Sequence, residues 1–416
     1  MSLLNGITIS IGDELLSGKT IDSNNAFISQ ELARIGVQVS KKLIIGDVHE
    51  NIIKALNWSL AEADIVTLTG GLGPTHDDIT KTALCDFFDV PLKTYPEILQ
   101  NIKDRFEKRG HKFASSNISQ AEYPENAEIL SNAIGTAQGM HFQHKGSHLF
   151  VMPGVPAEMK AITSEHVIPR LRDLTGAVQE TIDIHCIGVP ESRLYEICKP
   201  ILAEYPDAKV AYLPHQFVVT IRVSFNTSSP GEHESTFTRI YEEIREVLPR
   251  NVFGRDSEQL QSIVGLELLQ RKATLASAES CTGGLIASMI TDISGSSDYF
   301  NTGYVTYSNE TKMKLLGVQE QTLINFGAVS EETVSEMLTG ALKASGATYA
   351  VAVSGVAGPT GGSDEKPVGT VYIGVADNHD RYIKRYQFGK HRVMNKKISA
   401  LTALNLMRLF IRGELT

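Results

Sequence analysis

The sequence predicts an α/β protein in three successive parts. These are a doubly wound N-terminal domain over residues 1–172, a small α+β domain over 173–252 and a second α/β domain over 259–416. Three observations predict this. The first part alternates short apolar strands with helical patterns, as in a mainly parallel sheet. Residues 176–250 carry two strand patterns and two helical ones in a shorter span. The stretch 249–258 (PRNVFGRDSE) is polar, contains Pro and Gly and reads as a linker into a last strand–helix alternation.

Taken in order, Gly6–Ile11 reads as a strand and Asn24–Ile35 as a helix, with Phe27, Ile28, Leu32 and Ile35 at helical spacing. Val37–Ile45 is the next strand, Glu50–Glu62 a second helix, and Asp64–Thr69 a short apolar strand closed by Gly70-Gly71. His148–Met152 is a further strand, followed by a helix from Ala157. In the middle part Val178–Ile187 and Phe217–Asn226 are strands, with helices at Glu191–Glu204 and Thr236–Val247. The last part opens with a helix over Leu260–Lys272 and then has strands at Thr274–Ala278, Tyr304–Tyr307, Tyr349–Ser354 and Gly369–Val375. No internal repeat and no low-complexity tract is present.

The composition narrows the function classes. Hydrophobic residues make up 42% of the 416 and charged residues 21%, which places the chain among folded globular proteins rather than disordered ones. The 39 basic residues against 48 acidic ones disfavour a mainly electrostatic nucleic-acid binder. No apolar run reaches the length of a membrane span, and the N-terminus lacks the charged and apolar regions of a signal peptide. Cys85, Cys186, Cys198 and Cys281 show no metal-binding spacing. They read as reduced thiols of a cytoplasmic protein.

Two segments carry chemistry. In the first part, Thr69-Gly70-Gly71-Leu72-Gly73-Pro74-Thr75-His76-Asp77-Asp78-Ile79-Thr80 ends a strand in glycines, so backbone can approach a ligand. Thr75 to Asp78 can cap the next helix, whose free N–H groups suit a phosphate. The adjacent carboxylates Asp77 and Asp78 make sense if a divalent cation bridges carboxylate and phosphate oxygens; the plainer reading is a capped turn. Asp13, Glu14, Asp22 and Asn24 follow an earlier strand, and Asp47 a third, so all should share one rim. Asp22 or Ser23 also serves as a helix cap.

In the last part, Ala276-Ser-Ala-Glu279-Ser280-Cys281-Thr282-Gly283-Gly284 places Ser280 on a strand-to-helix turn. Outward N–H groups there suit a nucleophile beside an oxyanion hole, or a plain capping serine. Candidate bases are His379, His391, and the lysine and tyrosine of Tyr304-Val-Thr-Tyr307-Ser308-Asn309-Glu310-Thr-Lys312. Lys312 in the first turn of a helix sits against the macrodipole, which lowers its proton affinity; most lysines are simply surface residues. Cys281 is a rival nucleophile by chemistry, although its place in the turn favours packing. The stretch Ser354–Val371, which includes Gly355, Gly358, Gly361 and Gly362, can cradle a phosphate on backbone N–H groups or form a solvated loop. Arg392 can clamp a phosphate.

These motifs resemble the CinA family over essentially the whole chain. Gly12-Asp13-Glu14-Leu-Leu, Gly70 to Thr80 and Pro153-Gly154-Val155-Pro156-Ala157-Glu158-Met159 are similar to its molybdopterin-binding-like domain. Asn132 to Gly139 matches a further stretch, with Gln138 for a usual proline; Ser119 stands where a lysine is usual. Gly188 to Ser192 and Tyr212 to Pro214 resemble its small KH-like domain, without a basic GXXG clamp, so this part reads as a spacer and assembly element. The AESCTGG, YVTYSNETK and SGVAGPTGGSDEKPVGTV stretches resemble its C-terminal domain.

The resemblance implies a bifunctional hydrolase of pyridine nucleotides. The C-terminal domain would deamidate nicotinamide mononucleotide without a cofactor. Ser280 would be the nucleophile, Lys312 and Tyr307 would assist proton transfer, and Thr282 would support the oxyanion. Gly283, Ser354, Gly355, Gly358 and Arg392 would bind substrate, His391 replacing a usual acidic residue before the arginine. The N-terminal domain would hydrolyse ADP-ribose to AMP and ribose 5-phosphate with Mg2+, Mn2+ or Co2+, and K+ as an additional ion. Asp13, Glu14, Asp47, Asp77 and Asp78 would hold the metal, and Gly70, Gly71, Gly73, Thr75 and Asn24 the substrate. A homodimer is the default assembly. The alternatives are a deamidase whose N-terminal domain only binds a pterin or nucleotide, and a non-enzymatic competence or DNA-damage accessory.

Overall fold

The computed structural model describes residues 4–75, 78–108, 110, 113–172, 174–175, 178–215, 217–227, 229 and 231–415. They form two compact units, residues 1–181 with 225–232, and residues 182–224 with 233–416. The segment expected to be a separate middle domain therefore falls mainly within the second unit.

The first unit is built on a six-stranded sheet. Its strands are β1 (Leu4–Ile11), β2 (Val37–Ile45), β3 (Ile65–Thr69), β6 (Glu128–Leu130), β7 (Gly139–His144) and β8 (Ser147–Met152); β4 (Leu92–Thr94) and β5 (Glu122–Pro124) pair apart from it. The order is β2-β1-β3-β8-β7-β6. The first four strands run parallel, and β7 and β6 add antiparallel at one edge. All five residues of β3 are buried, because helices cover both faces of a central parallel strand. One side of the sheet packs Ile52, Leu56, Leu68 and Leu84, and the other Ile28, Leu32, Phe150 and Ile162. Asp22 caps the helix Ser23–Arg34 by accepting the Asn25 N–H at 2.9 Å.

The rest of the described chain holds two further sheets. One consists of β9 (Val178–Ile187), β10 (Lys209–His215), β11 (Val218–Thr227) and β12 (Val252–Arg255), in the order β10-β11-β9-β12. The expected linker is thus a strand, because the Val252 and Phe253 side chains are buried and β12 pairs with β9. The other sheet has β13 (Leu275–Glu279), β14 (Phe300–Val305), β15 (Tyr349–Gly355), β16 (Thr370–Ala376) and β17 (Arg381–Gln387), in the order β14-β13-β15-β16-β17. Here β13 runs parallel to β14 and β15, and the last two strands are antiparallel.

Ile187 and Phe253 share one core with Leu260, Ile263, Leu404 and Met407, so the four-stranded sheet is packed on the C-terminal elements rather than tethered to them. Arg408, on the helix Arg392–Ile411, is fully buried and donates to Val252 O at 3.1 Å and Arg250 O at 2.8 Å. Replacing it strands two carbonyls and opens a cavity. Arg408→Ala is therefore expected to cost roughly 2–4 kcal/mol in a urea-unfolding measurement.

Candidate active site

In the second unit, β13 is a buried strand of small residues that ends on a fully buried carboxylate, Glu279. The carboxylate is tolerated because Oε2 accepts the N–H of Gly284 at 3.0 Å and of Ile286 at 3.1 Å, while Oε1 accepts that of Ala287 at 2.9 Å. These are the free donors that open the helix Leu285–Thr291. The chain must therefore reverse within five residues, and Gly283 and Gly284, at φ +63° and +90°, supply the turn.

Ser280 stands at the head of that turn. Its N–H donates to Val353 O at 2.9 Å, and its carbonyl accepts the Gly283 N–H at 3.1 Å. Ser280 is not a helix cap; Gly284 holds that position. The N–H groups expected to point outward after Ser280 are mostly engaged inside the protein. The Thr282 hydroxyl of this turn is buried and has no hydrogen-bond partner among the described residues.

The helix Asn309–Leu316 is capped by Ser308, whose Oγ accepts the Thr311 N–H at 3.1 Å. Lys312 lies in its first turn with 1% exposure. Its Nζ donates to Ser280 Oγ at 3.0 Å and to Thr306 O at 2.8 Å. Both acceptors are neutral, and burial pulls the ammonium down to about 8. A serine hydroxyl against a desolvated lysine has the makings of a nucleophile and its base.

Other expected residues sit differently. The strand ends at Val305, so Tyr307 lies beyond its tip and is 60% exposed. The Tyr307 hydroxyl accepts from Arg392 Nη2 at 2.8 Å, which makes it a partner of Arg392, whose Nη1 donates to Gly358 O at 2.8 Å. The Ser354 hydroxyl is buried and donates to Ala328 O at 2.6 Å, fixing the end of β15. Gly355 lies against Thr370 O and Val371, where a Cβ has no room. His391 caps the last helix by accepting the Met394 N–H at 3.3 Å, and the His379 N–H donates to Asp377 in a turn. Cys281 is 5% exposed, and burial pushes its thiol up to about 12, so it is poorly placed to act as a thiolate. All four cysteines are free and buried.

In the first unit the ends of β1, β3 and β8 open on a cleft of about 420 Å3. Gly70, Gly71, Gly73, Glu14, Asp47, Asp78 and Glu158 are among its lining residues. Gly70, at φ +109°, lies so close to Ile11 O that no side chain fits. Asn24 fixes the facing loop by donating to Gly154 O at 2.7 Å. Asp78 does not cap the helix Thr80–Phe88; it folds back to accept the Thr75 N–H at 2.9 Å and hydroxyl at 2.6 Å. Asp47 Oδ2 accepts the Asp13 N–H at 3.2 Å. The Asp47 carboxyl is raised by burial and further by the charges of Asp13, Glu14 and Asp78, although the Asp13 N–H opposes this.

That crowding of carboxylates is the donor chemistry a cation relieves. Among the described residues, however, no three are grouped closely enough to hold a metal ion, and Asp77 lies outside the described residues. Glu158, whose Oε2 accepts from Asn132 Nδ2 at 2.6 Å, joins the cleft without having been singled out from the sequence.

Three family models match consecutive stretches of the chain. The family model described as "Probable molybdopterin binding domain" matches residues 7–173. The "Damage-inducible protein CinA KH domain" matches 183–254, and the "CinA C-terminal domain" matches 257–411. A CinA-like protein of Endomicrobium trichonymphae is 40% identical over 96% of this chain and 97% of its own length. The chain belongs to the CinA family. A second CinA-like protein, from Chloroherpeton thalassium, is 40% identical over 98% of this CinA chain and 99% of its own. Among solved structures, the competence/damage inducible protein CihA from Agrobacterium tumefaciens is 39% identical over 37% of this chain and 93% of its own, at a TM-score of 0.36. No helix among the described residues of this CinA chain is long and apolar enough to cross a membrane.

Proposed function

We propose that the second unit is a metal-independent amidase that converts nicotinamide mononucleotide to nicotinic acid mononucleotide and ammonia. The observation that carries the reading is the Lys312 ammonium, desolvated and 3.0 Å from Ser280 Oγ. The substrate comes from the CinA resemblance. In the reaction, Ser280 Oγ attacks the carboxamide carbon while neutral Lys312 takes its proton. The tetrahedral oxyanion meets donors at Cys281 and Thr282. Lys312 returns the proton to the leaving nitrogen, and ammonia departs. Water then attacks the Ser280 ester, giving its proton to Lys312, and the acid leaves as the serine is reprotonated. Arg392 and the 354–362 loop would hold the nucleotide. Ammonia release from nicotinamide mononucleotide in the presence of EDTA tests this reading; no release by the intact chain would overturn it.

A second reading concerns the first unit. Its cleft is proposed to take a nucleotide diphosphate, ADP-ribose by family resemblance, together with a divalent cation among Asp13, Glu14, Asp47 and Asp78. The carboxylates of Glu14, Asp47 and Asp78 on the same cleft as Gly70, Gly71 and Gly73 support it. Mn2+ with ADP-ribose is expected to raise the melting temperature of the wild type and to lose that effect in Asp47→Asn. AMP release in the same mixture separates a hydrolase from a module that only binds.

A further inference from the structure

We propose that Lys396 is a phosphate-binding residue of the Ser280 site. It would contact the monoester phosphate of the mononucleotide substrate. The inference rests on the amidase reading and adds the residue that recognises the substrate's anionic end.

A Cβ on Gly283 would stand 3.5 Å from Lys396 Nζ, so the ammonium lies directly against the turn that carries Ser280. Lys396 is half-buried, on the helix Arg392–Ile411. It is four residues from Arg392, so both project from one face. Asn395 between them donates to Ala357 O and Gly389 O, both at 2.9 Å, which fixes this helical turn against the glycine-rich loop.

The charges here are unbalanced. Neither Lys396 nor Arg392 forms an ion pair among the described residues. The acidic side chain beside Ser280 is Glu279, and its oxygens are committed to backbone donors. The first turn of the helix contains no acidic residue to offset the cations. Cations four residues apart at a helix start oppose each other and the helix dipole. A bound dianion relieves both. The three cations differ in what holds them. Lys312 meets Ser280, Arg392 is tied to Tyr307 and Gly358, and Lys396 has no ion-pair partner among the described residues.

The test compares substrates with and without the phosphate, using the full chain. Values of kcat/KM are measured for nicotinamide mononucleotide and for nicotinamide riboside, with the wild type, Lys396→Met and Lys396→Arg. Lys396→Met is expected to lose roughly 10- to 100-fold on the mononucleotide, mainly through KM, and less than about twofold on the riboside. Lys396→Arg is expected to restore most of the loss. Equal losses on both substrates, or none on either, would overturn the proposal. If the wild type turns over neither compound, the amidase reading fails instead. Inorganic phosphate then decides on Lys396: it should raise the melting temperature of the wild type more than that of Lys396→Met, and equal shifts would overturn the proposal.

Discussion

Lys312→Met is expected to lower kcat for deamidation by roughly 10^3-fold while the fold persists. The methionine fills the buried channel of the lysine stem but removes the group that accepts the Ser280 proton. The pH dependence gives the sharper sign. Burial brings the ammonium of Lys312 down to about 8, and only the neutral amine can act as a base. Wild-type kcat/KM should therefore rise tenfold per pH unit below about 8 and level off above it. Lys312→Met should lose this inflection. The same shift is a statement about stability. The folded value lies below the ordinary 10.5, so folding disfavours the charged form. That cost is present in full below about pH 8 and fades as pH rises toward 10.5. The wild type should gain stability across this window relative to Lys312→Met, as read by urea unfolding at several pH values.

Ser280→Ala is expected to remove deamidation altogether, a loss on the order of 10^4-fold or more. The change deletes one atom at a site with 8% exposure, and its only described side-chain partner, Lys312, keeps Thr306 O. The melting temperature should move little. Cys281→Ala is the informative companion. The thiol is buried and held protonated, so this variant should keep most of its activity. Activity that survives Ser280→Ala and vanishes in Cys281→Ala would transfer the nucleophile to the neighbour.

The elements legible in the sequence share a physical property. Strands buried on both faces, such as Ile65–Thr69 and Tyr349–Gly355, read as apolar runs, and the glycines after them mark where the backbone turns under a ligand. Several of the strands that sequence reasoning passed over are exposed or short, although Gly139–His144, six residues and mostly buried, was passed over as well. Lys209–His215 has six of seven residues exposed and contains a proline, and Arg381–Gln387 is an edge strand rich in charge. Their apolar pattern is weak because little of either strand faces a core. Val252–Arg255 hides inside a polar stretch that looks like a linker, yet its apolar pair fills a core shared with the C-terminal helices.

Within the site, Ser280 and Lys312 lie 32 residues apart, and only the fold brings them within hydrogen-bond distance. Glu279 gave one signal, an acidic residue closing a strand of small apolar residues. What it does, binding the donors of the following helix, depends on a turn that spacing alone does not reveal. Tyr307 owes its part in proton transfer to the family resemblance; the strand expected to end on it ends two residues earlier, and its hydroxyl meets Arg392. In the first unit, carboxylates at three strand ends were legible as one rim. How closely they approach depends on side-chain turns such as that of Asp78 onto Thr75.

The proposed reaction passes through a covalent ester on Ser280, and partitioning of that ester between water and hydroxylamine reveals it. The wild type is incubated with nicotinamide mononucleotide and hydroxylamine in EDTA, and the products are separated by mass. Hydroxylamine intercepts an acyl ester to give the hydroxamate of the mononucleotide. Hydroxamate is expected from the wild type and from Cys281→Ala, and none from Ser280→Ala. Ammonia release without hydroxamate, or hydroxamate that persists in Ser280→Ala, would contradict it.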